Sequence, residues 1–231
     1  MNIKTISLIF TLFVLCGSSA FSNNTTPSTE LNNDIETVED RNARALSILK
    51  TVYQKHDALS SVTMDIDIMI MDGDYSYKKT GTAIVKGQKF NLNTEDEKII
   101  SDGNTLWVYL KSDKSLQITN STADNQNFFC YPSKLLQKYQ SSCVVQMVNE
   151  TNNSYTVQFN AYNDDCPYET IKVNINRKNF QITKITVLEA EDMGYTISIN
   201  NIGKNVNLSD NQFKFQNTNV QKSKIRDLRN K

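Results

Sequence analysis

Met64-Asp-Ile-Asp-Ile-Met-Ile70 is the stretch on which the fold turns. Met64, Ile66, Ile68 and Ile70 fall on one side of an extended chain, and Asp65 and Asp67 fall on the other. Side chains of a strand alternate with a period of two, so the stretch reads as a strand with one oily face and one wet face. Asp72-Gly73 turns the chain, and Tyr75 to Lys86 reads as the returning strand. Downstream, Phe90-Asn-Leu92 alternates briefly, and Lys98 to Ser101 and Thr105 to Leu110 flank Asp102-Gly103-Asn104, a strong hairpin signal. Leu116 to Thr119, Val144 to Val148, Tyr155 to Ala161, Thr170 to Ile175, Ile182 to Leu188 and Tyr195 to Ile199 continue the pattern. Roughly ten strands at this spacing suit a sandwich or barrel, and connections too short for crossover helices predict an antiparallel sheet.

Upstream the period changes to that of a helix. Ala45, Leu46, Leu49, Val52 and Tyr53 recur at helical spacing, while Arg44, Lys50, Gln54 and Lys55 lie mostly elsewhere. Thr37 followed by Asp40 resembles a helix start, so an amphipathic helix is predicted over residues 37–58. Residues 121–141 interrupt the strands: Phe128, Phe129, Leu135, Leu136 and Tyr139 are apolar, and Pro132 suits a first helical turn. A short helix over 132–139, lying across one opening of the sheet, is expected there. Phe213 and Phe215 are expected to anchor a tail that then becomes charged.

Residues 1–20 read as a secretory signal. Lys4 precedes an apolar run from Ile6 to Leu15, and Ser18-Ser19-Ala20 offers small residues for cleavage after Ala20. The run is shorter than the about 20 apolar residues that span a bilayer. Leu15 before Cys16 disfavours the lipoprotein type of signal, which wants a small residue there. Residues 21–36, rich in Ser, Thr and Asn, read as a flexible leader, and 37–231 as a single domain. Cleavage would remove Lys4 and no acid, leaving 24 basic against 25 acidic side chains, a balance that offers nothing to attract nucleic acid. Of the four cysteines, Cys130, Cys143 and Cys166 would remain, and the sequence does not choose a pair among them.

An enzyme is not expected. His56, the single histidine, sits near the end of the first helix, where a cation suits the helix dipole. Asp65 and Asp67 share the wet face of a strand, where solvation is the better reading, and Asp164-Asp165 lies in a loop that could touch a cation weakly. No nucleophile elbow or glycine-rich phosphate loop occurs, and no cofactor is expected.

The segment from Gly81 to Phe90, then Ser101-Asp-Gly-Asn-Thr-Leu-Trp107, and finally Leu208-Ser-Asp-Asn-Gln-Phe-Lys-Phe215 together resemble the LolA family of lipoprotein carriers, and Ile225-Arg-Asp-Leu-Arg229 is similar to tails of its Bacteroidota members. The resemblance runs from about Ala43 to Arg229. It implies an open antiparallel β-barrel or half-barrel with a helical lid, within the α+β class but mainly β, around a hydrophobic cavity. It also implies a monomeric periplasmic carrier that takes lipoproteins by their acyl chains from an ATP-driven inner-membrane exporter to an outer-membrane acceptor. A membrane-attached lipid or lipoprotein acceptor or sensor on the same fold is the alternative, which lipidation of Cys16 would favour. One departure stands out. Gly87 occupies the place of an Arg that ties barrel to lid in the family, so that latch is expected to be made differently here, with Lys89 the nearest cation.

The expected acyl-chain cavity combines Met64, Ile66, Ile68 and Ile70 with Phe90, Leu92 and Trp107 of the next hairpins. Leu49, Val52 and Tyr53 of the first helix, and Phe128, Phe129, Leu135 and Leu136 of the lid, would cover it. Burying a methylene is worth about 0.8 kcal/mol, so acyl chains crossing water need a substitute solvent. A carrier would therefore need a hollow, oily interior, and the energy for extraction would come from a partner.

Overall fold

A computed structural model describes residues 37–122, 132–189, 193–216 and 220–229. The expected signal, leader and Cys16, together with Phe128, Phe129 and Cys130, lie outside the described residues. The chain enters through helix α1 (Val38–Asp57). Thr37 caps it reciprocally with Asp40: the Asp40 N–H donates to Thr37 Oγ1, and the Thr37 N–H donates to Asp40 Oδ2, each at 3.1 Å. Two donors that a helix end leaves without partners are thereby satisfied.

Six strands follow in meander: β1 (Val62–Asp72), β2 (Tyr75–Lys86), β3 (Lys89–Thr94), β4 (Glu97–Ser101), β5 (Thr105–Leu110) and β6 (Ser115–Asn120). Helix α2 (Pro132–Tyr139) then leads into β7 (Cys143–Glu150), β8 (Ser154–Ala161), β9 (Thr170–Asn176), β10 (Ile182–Leu188) and β11 (Met193–Lys204). The chain ends in β12 (Ile225–Asp227). All twelve strands form one sheet in the order β12-β6-β5-β4-β3-β2-β1-β11-β10-β9-β8-β7. β7 and β12 are separate edges, so this is an open antiparallel half-barrel.

Two details differ from the expectation. Among the described residues the sheet holds twelve strands rather than roughly ten, and one pair, β12 on β6, is parallel. Ile225, Arg226 and Asp227 are all exposed, so this strand is held by its backbone ladder and carries no alternation to read.

The two faces of the sheet are covered differently. Both helices lie on the concave face, where Ala45, Leu49 and Val52 of α1 and Leu135 and Leu136 of α2 join the main core. On the convex face a strap from Leu208 to Phe215 crosses β3 to β5. Lys86 Nζ donates to Leu208 O at 2.9 Å, and Asn91 Nδ2 donates to Gln212 O at 2.6 Å. Phe213 is fully buried in a short 3-10 turn capped by Ser209, and Phe215 meets the Tyr109 ring at 5.4 Å between centroids. These aromatics anchor the strap, but from a turn rather than a continuing strand.

Candidate functional site

The concave face is a continuous apolar wall. In β1, Met64, Ile66 and Ile68 are buried, and Ile70 packs half-buried at the rim. Their opposites take polar partners: Asn201 Nδ2 donates to Asp65 Oδ2 at 2.8 Å, and Lys78 Nζ lies 3.3 Å from Asp67 Oδ2. Phe90 pairs across strands with Val85, and Leu92 with Ala83, which aims them at the same core. The structure thus brings Leu49, Val52, Tyr53, Leu135 and Leu136 of the helices together with Met64, Ile66, Ile68, Phe90 and Leu92 of the sheet.

Trp107 belongs elsewhere. In the ladder it stands opposite Ile100 and Ile118, while its neighbours Leu106 and Val108 face the concave core. Trp107 therefore lies on the convex face, the strap's side, and leaves the proposed lining.

The sequence reading missed the larger half of the wall. Val157 and Phe159 of β8, Ile171, Val173 and Ile175 of β9, Ile185 and Val187 of β10, and Ile197 of β11 have no exposed surface. Each set repeats the alternation seen in β1, and that signal was sufficient to place them on the concave side.

Among the described residues the core side chains pack against one another, where a hollow interior was expected. Among the described residues, an apolar crevice of about 50 Å³ lies between the C-terminal end of α1, Pro132 of α2, and β1, β10 and β11. An apolar cavity of about 150 Å³ is what one benzene occupies. An acyl chain does not fit this crevice unless side chains move aside. A wider, more open groove of about 820 Å³ between α1 and α2 mixes Leu46 and Tyr53 with Lys50, Gln54, Asp57, Gln137 and Gln140.

The crevice has a basic mouth. Lys55, His56 and Lys204 line it, and no carboxylate does. Lys55 Nζ sits 5.7 Å from the centroid of the Phe180 ring. Phe180 itself holds φ +59, a left-handed conformation that a bulky side chain rarely adopts. Burial holds His56 below the usual histidine range, and Lys134 and Lys204 act the same way against the opposing pull of Asp57. His56 therefore contributes less positive charge to the helix end than its sequence position suggested. Among the described residues, no three His, Cys, Asp or Glu side chains gather as a metal site.

Polar contacts help to hold the helices in place. Arg44 Nη2 lies 2.6 Å from Glu150 Oε2, and Arg177 Nη1 lies 2.8 Å from Glu150 Oε1. Tyr53 Oη donates to Gln140 Oε1 at 3.2 Å, joining α1 to the turn that follows α2. Among the described residues, the β2–β3 turn is tied to the strap instead. Gly87 has φ +58, so the turn itself favours glycine there. Lys86 and Lys89 both reach Asp210 of the strap, at 3.1 and 2.9 Å. The cations flanking Gly87 thus fasten the convex strap.

Comparison with known proteins bears on what such a face does. A family model described as outer membrane lipoprotein carrier protein LolA matches residues 73–216. An uncharacterized protein of Methanocaldococcus jannaschii is 25% identical over 177 residues, 73% of this chain and 50% of that protein, so the chain spans about half the length of this curated relative. The crystal structure of an uncharacterized conserved protein from Thermus thermophilus superposes with a TM-score of 0.54 at 9% identity, covering 80% of this chain and 99% of that one, a likeness of fold. A LolA superfamily protein from Nitrosomonas europaea gives a TM-score of 0.42 at 13% identity, covering 74% and 97%.

Proposed function

The chain belongs to the family of outer membrane lipoprotein carrier proteins, and from that premise we propose that it binds the acyl chains of lipoproteins on its concave face and moves them through the periplasm from the inner to the outer membrane. One observation carries the reading: a continuous apolar half-barrel wall is closed by two helices instead of a second sheet, and an apolar crevice opens where those helices meet the strands. The buried side chains of α1 and α2 hold the space that cargo would take. Lipid tails displace them, the helices re-cover the tails, and the wall supplies an environment resembling a bilayer interior.

No helix among the described residues is long and apolar enough to cross a membrane. The partners proposed are an ATP-driven inner-membrane exporter, which would supply the work of extraction, and an outer-membrane acceptor. A packed interior that must open binds less tightly than a hollow one, because displacement subtracts from the gain of burial. Such a carrier can release what it carries.

Titrating the purified protein with a fluorescent acyl probe tests this. Saturable binding is expected, displaced by a triacylated lipopeptide and not by the same peptide without its acyl chains. Absence of saturable binding, or equal displacement by both peptides, contradicts it.

A further inference from the structure

We propose that Cys143 and Cys166 are an oxidisable pair that closes to a disulfide and fixes the C-terminal end of α2 to the connection between β8 and β9. Cys143 opens β7, directly after α2 and the 3-10 turn of residues 140–142. Cys166 lies in the connection between Ala161 and Thr170. Cys143 faces Ala161 across the ladder, and from there the connection folds back over it. The Tyr162 N–H donates to Ser142 O at 3.3 Å, and Tyr162 Oη donates to Ser141 O. Beyond the cysteine, the Tyr168 ring meets Tyr139 of α2 edge-on at 5.5 Å. Both cysteines are buried in the same core as free thiols, and Cys166 Sγ donates to Tyr168 O at 3.5 Å, which holds it in the connection that folds over Cys143.

The chemistry is thiol–disulfide exchange with a disulfide donor, protein or small molecule. The Cys143–Cys166 bond forms, the donor's S–S bond breaks, and two protons and two electrons pass to the donor's sulfurs, releasing two thiols. Burial pushes the Cys143 thiol up to about 12, and the attacking species in exchange is the thiolate. In the folded protein the pair therefore exchanges slowly in both directions. Closure belongs to folding, while residues 162–169 are still open, and the finished bond is shielded from reductants. Under the carrier reading, α2 would then be pinned at its Tyr139 end and free to move at its Pro132 end, where the crevice opens.

The test needs no acyl ligand, so its failure is distinct from failure of the carrier reading. The full chain is unfolded, reduced, refolded with reduced and oxidised glutathione, quenched with an alkylating reagent and mapped by mass spectrometry. The expected product has lost two hydrogens, carries one Cys143–Cys166 linked peptide and is alkylated at Cys16 and Cys130. Its Tm should exceed that of the fully reduced chain by roughly 5–15 °C. That difference should vanish in the C143S/C166S double variant. A link to Cys130 or Cys16, or four alkylated cysteines, overturns the proposal.

Discussion

Leu136→Ala should lower the Tm of the protein and at the same time tighten its grip on an acyl probe. Leu136 is fully buried on α2, facing the concave core. Truncating a buried Leu costs about 2–5 kcal/mol, because transfer free energy is lost and a cavity is left. For a chain of this size that is a fall in Tm of roughly 4–20 °C. An ordinary core residue would show only this loss. If Leu136 instead occupies space that cargo takes, the variant has already vacated part of the site, and binding no longer bears the full cost of displacing it. Recovery of about 1.4 kcal/mol of that cost would strengthen binding tenfold. The two readouts are a thermal melt and a probe titration. A destabilised variant whose probe affinity is unchanged or weaker would identify Leu136 as plain packing.

Gly194→Val should prevent folding, for a reason unconnected with cargo. Gly194 lies in β11, paired with Leu188 of β10 and Met71 of β1. A Cβ built there would stand 2.3 Å from Val187 O and 3.3 Å from Leu188 Cα. Both are backbone atoms, so no side-chain rotation relieves the contact. Opening that ladder would pull Val187, Tyr195 and Ile197 out of the core. Damage above about 4 kcal/mol, rare among single substitutions, is expected. It would appear as loss of soluble protein and of the cooperative melt. A variant melting within a few degrees of the parent contradicts the contact.

The part played by Gly194 could not be read from the sequence, since it depends on how closely two strands separated by a turn approach. Other features could be read. The change from period 3.6 to period 2 after α1 placed the first helix, and Pro132 with the apolar residues after it placed α2. The alternation in β1 gave the wall its direction. Trp107 was misplaced for a physical reason. Ile99 and Ile100 are adjacent and both buried, because β4 is covered by core on its concave side and by the strap on its convex side. Where both faces are buried, alternation vanishes and parity cannot be read. β12 escaped notice because three exposed residues pair through their backbone alone. The packed state of the interior was beyond the sequence altogether, since an apolar face has the same pattern whether its neighbours fill it or leave it empty. The same holds for the cysteines: spacing left the pair open, and the fold carries the connection that holds Cys166 back over the start of β7.

On the proposed function, the helices give way so that acyl chains reach the sheet. Hydrogen exchange of the backbone amides, measured with and without a saturating triacylated lipopeptide, tests it most directly. The account predicts that amides of residues 132–139 exchange at least about tenfold faster in the complex, while those around Val157, Val173 and Ile185 keep their protection. A lipopeptide that binds and leaves exchange in 132–139 unchanged would contradict it.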